Sequence, residues 1–235
     1  MRYVWSTRIP TFYNGYKKIA VKMTADSWVG IDDKAIILLS IHSAFNQQEK
    51  GQLNVTSLIG IIKKQFKGLI TILLSDSAHL NVLTLAYNNR QKAFEIAKND
   101  ALALAQKFSA AFQECHVVLW SDFINRDPHY QTCVNQIAHL YEHNNYFRVL
   151  IQDDAESTYT LARAQEFPDK NAYLRSTIDD LLEQCAYTLV VAAKGYRFEF
   201  YPGRQYESIY FVNSRLLSVD KQLTHVHVNI SFEKK

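Results

Sequence analysis

A serine directly follows an apolar run, at a position where α/β proteins often carry their chemistry. Five apolar residues at 35–39 follow two aspartates and a lysine and end at Ser40. A run this short favours a strand that is buried on both faces. Ligands of open α/β sheets bind just outside the carboxyl ends of the strands, which is where this hydroxyl would lie. The simpler interpretation is that Ser40 caps a following helix.

Two histidines, His225 and His227, alternate with apolar residues near the end of the chain and would share one face of a strand. Their spacing suits metal ligands, but a zinc site needs further ligands and none lies nearby in the sequence. We therefore expect no metal. The glycine-rich motifs of dinucleotide and nucleotide-phosphate sites are absent, as are the GxSxG and HExxH motifs. These absences argue against the common dehydrogenases, kinases and hydrolases.

The composition is that of an ordinary globular protein. Of 235 residues, 48% are apolar and 21% charged, and the net charge is +3, so we expect one domain over 1–235. Three widely spaced cysteines indicate reduced thiols in a cytoplasm. The first residues lack the apolar core of a signal peptide, and no apolar run is long enough to span a membrane.

Further strands are predicted from short apolar or alternating runs. Those at 69–74 and 116–120 end in Ser-Asp, and the one at 196–201 ends in Pro-Gly. A fifth strand is expected at 208–212, and the alternation at 225–230 is typical of an edge or half-exposed strand. Residues 1–30 are expected to be irregular or to form one or two short strands.

Helical periodicity separates these strands. It predicts helices at 53–66, 88–112, 129–143 and 145–193, the last with an interruption near Pro168. Apolar strands that alternate with long helices imply βαβ units and a mostly parallel, doubly wound sheet flanked by helices.

Several stretches together resemble the tRNA-dependent cyclodipeptide synthases. The run that ends at Ser40 resembles the family's first signature, an aliphatic strand that ends in serine. The resemblance covers about residues 30–212, and its further motifs are Ser43-Ala44-Phe45-Asn46, Leu74-Ser75-Asp76, Leu83-Thr84-Leu85-Ala86-Tyr87, Trp120-Ser121-Asp122, Pro128-His129-Tyr130, Leu140-Tyr141, Tyr146-Phe147-Arg148, Leu181-Leu182-Glu183-Gln184-Cys185-Ala186-Tyr187 and Phe200-Tyr201-Pro202. Ser43, three residues after Ser40, and Pro202, directly after Tyr201, resemble the XYP subfamily.

The resemblance implies a Rossmann-type domain like the catalytic domain of class Ic aminoacyl-tRNA synthetases, which include the tyrosyl and tryptophanyl enzymes. It implies that Ser40 is the nucleophile, that Glu183 holds and deprotonates an amine, and that Tyr201 orients or shuttles a proton. The sequence departs from the family at Lys34 and Leu38, where the first signature has His and Gly.

A third departure concerns the helix that carries Glu183. The family has a tyrosine one turn before the glutamate, and Asp179 stands there. Either Asp179 takes part of that role, or Tyr173 or Tyr187 reaches the site. His42 is a less favoured candidate for the base of Ser40, because two residues along a turn it need not face the hydroxyl.

The substrates implied are two aminoacyl-tRNAs, and the product is a cyclic dipeptide, a 2,5-diketopiperazine. An aminoacyl-tRNA is already an activated ester, so no cofactor is expected. The acceptor stem would dock on cations through phosphate contacts; the candidates are Arg90, Lys92, Lys98 and Lys107, with Lys63 and Lys64.

We expect a monomer in the cytoplasm, without a membrane or a metal. Two other functions stay open. The chain could be a non-catalytic tRNA- or partner-binding module of the same fold. A serine hydrolase is less favoured, because the sequence has neither the nucleophile elbow nor a convincing triad.

Overall fold

The computed structural model describes residues 3–10, 16–25, 33–40, 55–56, 58–60, 62–64, 66–201 and 206–234. For residues 3–10, 16–25, Ser40, Ala162, Tyr201 and 226–234 it describes the backbone alone. The predictions for His42, for Ser43 and its neighbours and for Pro202 concern residues outside the described part of the chain.

A seven-stranded sheet in the order β1-β2-β7-β6-β3-β4-β5 organises this part of the chain. The strands are β1 Tyr3–Pro10, β2 Tyr16–Ala25, β3 Lys34–Ser40, β4 Ile70–Ser75, β5 His116–Leu119, β6 Tyr196–Tyr201 and β7 Thr224–Lys234. From β7 to β5 each neighbouring pair is parallel, whereas β1, β2 and β7 pair in antiparallel fashion. The five parallel strands confirm the predicted fold class.

Helices cover both faces of the parallel strands. They are α1 Leu80–Tyr87, α2 Arg90–Lys107, α3 Ser109–Phe112, α4 Trp120–Asn125, α5 Tyr130–His143, α6 Asn145–Thr158, α7 Leu161–Glu166, α8 Lys170–Ala193 and α9 Glu207–Leu216. Residues 55–56, 58–60 and 62–64 are also helical, within the helix predicted at 53–66.

Strand β3 lies between β6 and β4 and is buried on both faces, as its apolar run predicts. Ile37 and Leu39 pack into a core with the helical residues at 55–64 and with α2. Ile36 and Leu38 pack on the other face against α4 and α8. Each fully buried side chain of this size contributes about 1.5–3 kcal/mol of hydrophobic stabilisation, which makes β3 the structural centre of the fold.

Helix α8, the longest helix described, crosses the face of the sheet on which Ile36 lies. Asp169 caps its first turn by accepting a hydrogen bond from the Ala172 N–H (3.0 Å). Gly195 follows its end with a φ of +78°, which glycine adopts without strain. Residues 184–192 are buried without interruption, so this half of the helix lies inside the protein.

Three predicted elements differ from the structure. The strand predicted at 208–212 is helix α9, because the buried carboxylate of Asp154 accepts hydrogen bonds from the Glu207 and Ser208 N–H groups and caps a helix there. Trp120 starts α4 instead of ending β5. The helix predicted at 88–112 is two helices that meet at Phe108, and α1 precedes them.

The N-terminal and C-terminal strands also differ in part. Residues 3–25 contain two strands of 8 and 10 residues. Strand β7 is not an edge strand, because it lies between β2 and β6. The edge positions of the described sheet belong to β1 and β5, and sequence alternation cannot distinguish such positions.

Candidate active site

Three parallel strands end at the same edge of the sheet. Ser40 at the end of β3 is in register with Ser75 at the end of β4, and Leu119 at the end of β5 is level with Leu74. Tyr201 ends the neighbouring strand β6. The carboxyl ends of parallel strands form the usual ligand-binding edge of such a sheet.

A buried carboxylate joins the ends of β4 and β5. Asp76 is fully buried, and it accepts hydrogen bonds from the Ser121 N–H (2.9 Å) and hydroxyl (2.5 Å). A buried carboxylate needs such donors to offset its lost hydration. This contact fixes the chain at the start of α4, where Trp120 lies.

Glu183 of α8 receives two side-chain hydrogen bonds from other elements. The Trp120 Nε1–H and the Tyr130 hydroxyl donate to its Oε1 over 3.4 and 3.2 Å. Within the described part of the chain no donor reaches Oε2. These two donors hold Oε1 in place.

Burial raises the pKa of the Glu183 carboxyl. The hydrogen bonds from Trp120 and Tyr130 and the charge of Arg90 partly offset this rise in pKa, whereas the negative charge of Asp76 adds to it. A carboxylate that is partly desolvated and whose pKa is raised is a better proton acceptor than an exposed one.

Tyr130 remains a hydrogen-bond donor at neutral pH. Burial and the nearby Glu183 carboxylate raise the pKa of its phenol, so the hydroxyl stays protonated. Tyr187, one turn after Glu183, stacks on Trp120 with ring centroids 4.1 Å apart. The Trp120 indole is thus held by two contacts, the stacked Tyr187 ring and the hydrogen bond to Glu183.

Asp180 links α8 to the start of α1. Its Oδ1 accepts from the Asn81 N–H (3.1 Å) and side-chain amide (2.9 Å), and its Oδ2 accepts from the Val82 N–H (3.2 Å). The carboxyl is 1% exposed, and burial raises its pKa to about 8 even though the donors favour the ionised form.

The predicted nucleophile and proton shuttle lie at the expected strand ends. Ser40 and Tyr201 are the last residues of β3 and β6, which are neighbours in the sheet. Only their backbones are described, and their roles stay predictions.

Asp179, the predicted substitute for the family tyrosine, is exposed on α8, and partial burial of its carboxyl raises its pKa. Tyr173 is buried and donates a hydrogen bond to Thr158 Oγ1 (3.1 Å), ten residues before Glu183 along the helix. Tyr187 lies closer, through its contact with Trp120.

Sequence reasoning missed Trp120, Tyr130, Asp76 and Asp180 as site residues. Asp76 directly follows β4 and Trp120 directly follows β5, so their positions after a strand were a signal. Tyr130 carries no such signal, because only the packing of α5 on α8 brings it to the site. Asp180 lies on α8 itself, next to the predicted Asp179 and one turn before Glu183.

The predicted docking cations are not equivalent. Lys92, Lys98 and Lys107 are exposed on α2. Lys64 is also exposed, but Lys63 is bound to Glu114 (3.1 Å) and to the Gln113 carbonyl (2.7 Å). The Arg90 guanidinium donates to Asn81 Oδ1 over 2.8 Å.

The structure resembles solved cyclodipeptide synthases over most of its length. It matches a cyclodipeptide synthase of Fluoribacter dumoffii with a TM-score of 0.76 at 19% identity, covering 90% of this chain and 99% of that chain. It matches the enzyme of Candidatus Glomeribacter gigasporarum, solved bound to Phe-tRNAPhe, with a TM-score of 0.67 at 17% identity, covering 86% and 89%. The chain has the fold of the cyclodipeptide synthases.

A weaker match extends to a tRNA synthetase. The tyrosyl-tRNA synthetase of Archaeoglobus fulgidus matches with a TM-score of 0.51 at 16% identity, covering 84% of this chain and 55% of that chain. This match confirms the predicted likeness to class I tyrosyl-tRNA synthetases in fold. Neither a protein-family model nor a curated protein matches the sequence.

No helix in the described residues is long and apolar enough to cross a bilayer. The same residues contain no group of three His, Cys, Asp or Glu side chains arranged to hold a metal ion.

Proposed function

We propose that the protein is a cyclodipeptide synthase of the XYP type that joins the amino acids of two aminoacyl-tRNAs. The observation that carries this proposal is the Glu183 carboxylate, held by Trp120 and Tyr130 at the sheet edge where β3 ends in Ser40. The shared fold with cyclodipeptide synthases supports it.

The first transfer loads an amino acid on Ser40. The Ser40 hydroxyl attacks the ester carbonyl of an aminoacyl-tRNA, the new ester bond forms, and the bond to the tRNA ribose breaks. The hydroxyl proton leaves Ser40 and the ribose oxygen gains a proton. The amino acid is then bound covalently, which divides one difficult transfer into two easier ones.

The second transfer and the ring closure are attacks by amines. Two orders of attack are chemically possible: the amine of a second aminoacyl-tRNA attacks the Ser40 ester, or the amine of the Ser40-bound amino acid attacks the ester of the second aminoacyl-tRNA. Either attack forms a dipeptidyl ester. The N-terminal amine of that dipeptidyl ester then attacks its own ester carbonyl, which closes the ring and breaks the ester bond.

The two orders differ in where the dipeptide remains. Attack on the Ser40 ester would leave the dipeptide on the tRNA and free Ser40 too early. Attack by the Ser40-bound amine on the second ester leaves a dipeptidyl ester on Ser40 and frees the second tRNA, so this is the order that we propose. The amine must lose a proton in each such step, and the raised pKa of Glu183 suits it to accept that proton.

Tyr201 and Asp179 would assist these proton transfers. Tyr201 ends β6, beside the strand that ends in Ser40, and a phenol there can orient an amine or pass on its proton. Asp179 lies one turn before Glu183 on α8, and its carboxylate would help to hold the ammonium form.

Docking of the acceptor stem requires cations but no base recognition. The exposed side chains of Lys92, Lys98 and Lys107 form such a surface on α2. The proposed docking surface also includes Arg90, the first residue of α2, together with Lys63 and Lys64. Phosphate contacts of this kind bind any tRNA body and depend strongly on salt. The related structure bound to Phe-tRNAPhe supports a tRNA substrate.

A non-catalytic module of the same fold is the second candidate, and one observation favours it. Lys34 and Leu38 occupy the positions of the family's His and Gly, and Leu38 is packed into the core on the α8 face of the sheet. Such a module would bind tRNA without forming a product.

The deciding experiment is an incubation of the purified protein with aminoacyl-tRNA, followed by mass analysis. We expect one aminoacyl group, as a base-labile ester, on the peptide that contains Ser40, and cyclic dipeptide on longer incubation. Ser40→Ala should lose the adduct and the product but retain tRNA binding, because the hydroxyl acts in covalent chemistry.

Ser43→Ala is the matched control, since it removes a hydroxyl from the same segment at the variable position of the XYP pattern. Its effect should be far milder. Product formation by Ser40→Ala at the parent rate would exclude the serine mechanism, and tRNA binding without any product in the parent would favour the non-catalytic module.

A further inference from the structure

In the described part of the chain, the guanidinium of Arg90 is hydrogen-bonded to a side chain of α1, unlike the ammonium groups of the α2 lysines. Its Nη1 donates to Asn81 Oδ1 over 2.8 Å. Asn81 in turn donates through its backbone and side-chain N–H groups to Asp180 Oδ1. The guanidinium is therefore connected to the catalytic helix α8 through a single intervening residue.

Arg90 is exposed like the lysines of α2, but within the described residues those lysines make no such connection. Lys92 lies 5.9 Å from the centroid of the Tyr87 ring, and Lys98 lies 6.0 Å from that of Phe94. These contacts are local to α1 and α2 and leave both ammonium groups available to a phosphate. Arg90 and Lys98 thus differ in surroundings although they carry the same charge on one helix.

Glu183 lies in a mainly acidic environment. Within the described residues, the titratable and charged groups near Glu183 are Asp76 after β4, Tyr130 of α5, Asp180 of α8 and Arg90 of α2. Arg90 is the cation of this part of the chain whose charge lowers the pKa of Glu183. Without Arg90, burial and the negative charge of Asp76 would raise that pKa with no positive charge to oppose them.

We propose that Arg90 is a positioning residue of the active site: Asn81, itself held by Asp180, fixes the guanidinium on the Glu183 side of α8, where it keeps the carboxylate ionised. The geometry behind the pairing is the series of hydrogen bonds from Arg90 to Asn81 to Asp180, which places the guanidinium beside the turn of α8 that carries Asp180 and Glu183. Its part in catalysis rests on the proposed function, in which the ionised carboxylate accepts a proton from an amine.

The first test follows the pH dependence of kcat/KM for cyclic dipeptide formation. In Arg90→Met the acid limb should move to higher pH by about 0.5 to 1 unit, since a lost positive charge favours the protonated carboxyl. Arg90→Lys retains the charge and should shift the limb less. Lys98→Met, the matched loss of one charge, should weaken the salt dependence of docking and leave the acid limb in place.

The second test does not need activity. The Trp120 indole N–H donates to Glu183, so its NMR signal, assigned by its loss in Trp120→Phe, should report the titration of that carboxyl. The midpoint should rise in Arg90→Met and, by a smaller amount, in Asn81→Ala, which releases the guanidinium but keeps its charge.

The outcomes separate the two proposals. An unchanged indole midpoint in folded Arg90→Met, or an equal shift in Lys98→Met, would overturn the pairing. A shifted midpoint in a protein that forms no cyclic dipeptide would support the pairing and reject the proposed function. If Arg90→Met does not fold, Asn81→Ala provides the same measurement with the arginine in place.

Discussion

The Glu183 side chain is held by donors from two separate elements, and this arrangement determines what the carboxyl can do. Trp120 and Tyr130 both donate to Oε1, which orients the group. A phenol therefore reaches the glutamate from α5, whereas the residue one turn before Glu183 on α8 is Asp179.

Replacement of Glu183 by glutamine tests this role. Glu183→Gln keeps the shape of the side chain and an oxygen that can accept from Trp120 and Tyr130, but it removes the charge. Cyclic dipeptide formation should fall by about 10² or more, the usual effect of a positioned acid or base. The rate of product formation by the purified variant is the measurement.

Glu156→Gln is a suitable control, because this exposed glutamate pairs with Lys170 (2.7 Å) away from the sheet edge. Full activity in Glu183→Gln would remove Glu183 from the mechanism and direct the search to Asp179 or Tyr173.

At the scale of elements, α8 and α1 are joined by a buried carboxyl. Asp180 accepts two backbone N–H bonds from the first turn of α1, where a helix has donors without partners and favours negative charge. The contact fixes α1 on α8, so a change in Asp180 should affect the stability of the protein as well as the site.

The pKa of Asp180 leads to a prediction on stability. Burial raises it to about 8, so between about pH 4 and 8 the folded protein holds a proton that the unfolded chain releases. This contribution is fully present below the unfolded pKa and is lost as the pH rises through the folded pKa. The free energy of unfolding, measured with urea, should therefore decline from pH 5 to 8.5.

Asp180→Asn cannot titrate and should flatten that decline, while Asp153→Asn, at an exposed aspartate of α6, should preserve it. Equal declines in both variants would assign the pH dependence to other groups.

At the scale of the whole molecule, helix α1 connects α8, which carries Glu183, to α2, which carries the exposed cations. Helix α1, which Asp180 binds, directly precedes α2 and packs against it. A tRNA docked on α2 would thus contact a helix that is linked to α8 through α1.

Reversal of charge on α2 tests the docking surface. The double variant Lys98→Glu and Lys107→Glu should bind aminoacyl-tRNA more weakly at every salt concentration, and the slope of log affinity against log salt should fall by about 2, one for each lost phosphate contact. Lys221→Glu, at an exposed lysine outside α2, is the control. Unchanged affinity and slope would move the docking surface elsewhere, first to Lys64.

The central part of the fold was predictable because its signals are local. The apolar run at 35–39 has no polar break, so its burial on both faces follows from composition alone. The helical patterns at 129–143 and 145–193 are local in the same way, and the structure has α5 in the first range and α6, α7 and α8 in the second. The strand predicted at 208–212 was wrong because apolar residues in this stretch also suit a strand. The helix begins there because the distant Asp154 carboxylate accepts a hydrogen bond from the Ser208 N–H.

The sequence by itself determined which strands end in polar residues, and therefore where chemistry would lie. It also indicated Glu183, through a resemblance that the shared fold supports. Only the tertiary structure decided which side chains contact that carboxyl, because Trp120 and Tyr130 lie 63 and 53 residues from it along the chain. Hydrogen bonds and charges act over a few ångströms, and the packing of α1, α4 and α5 on α8 closes those distances.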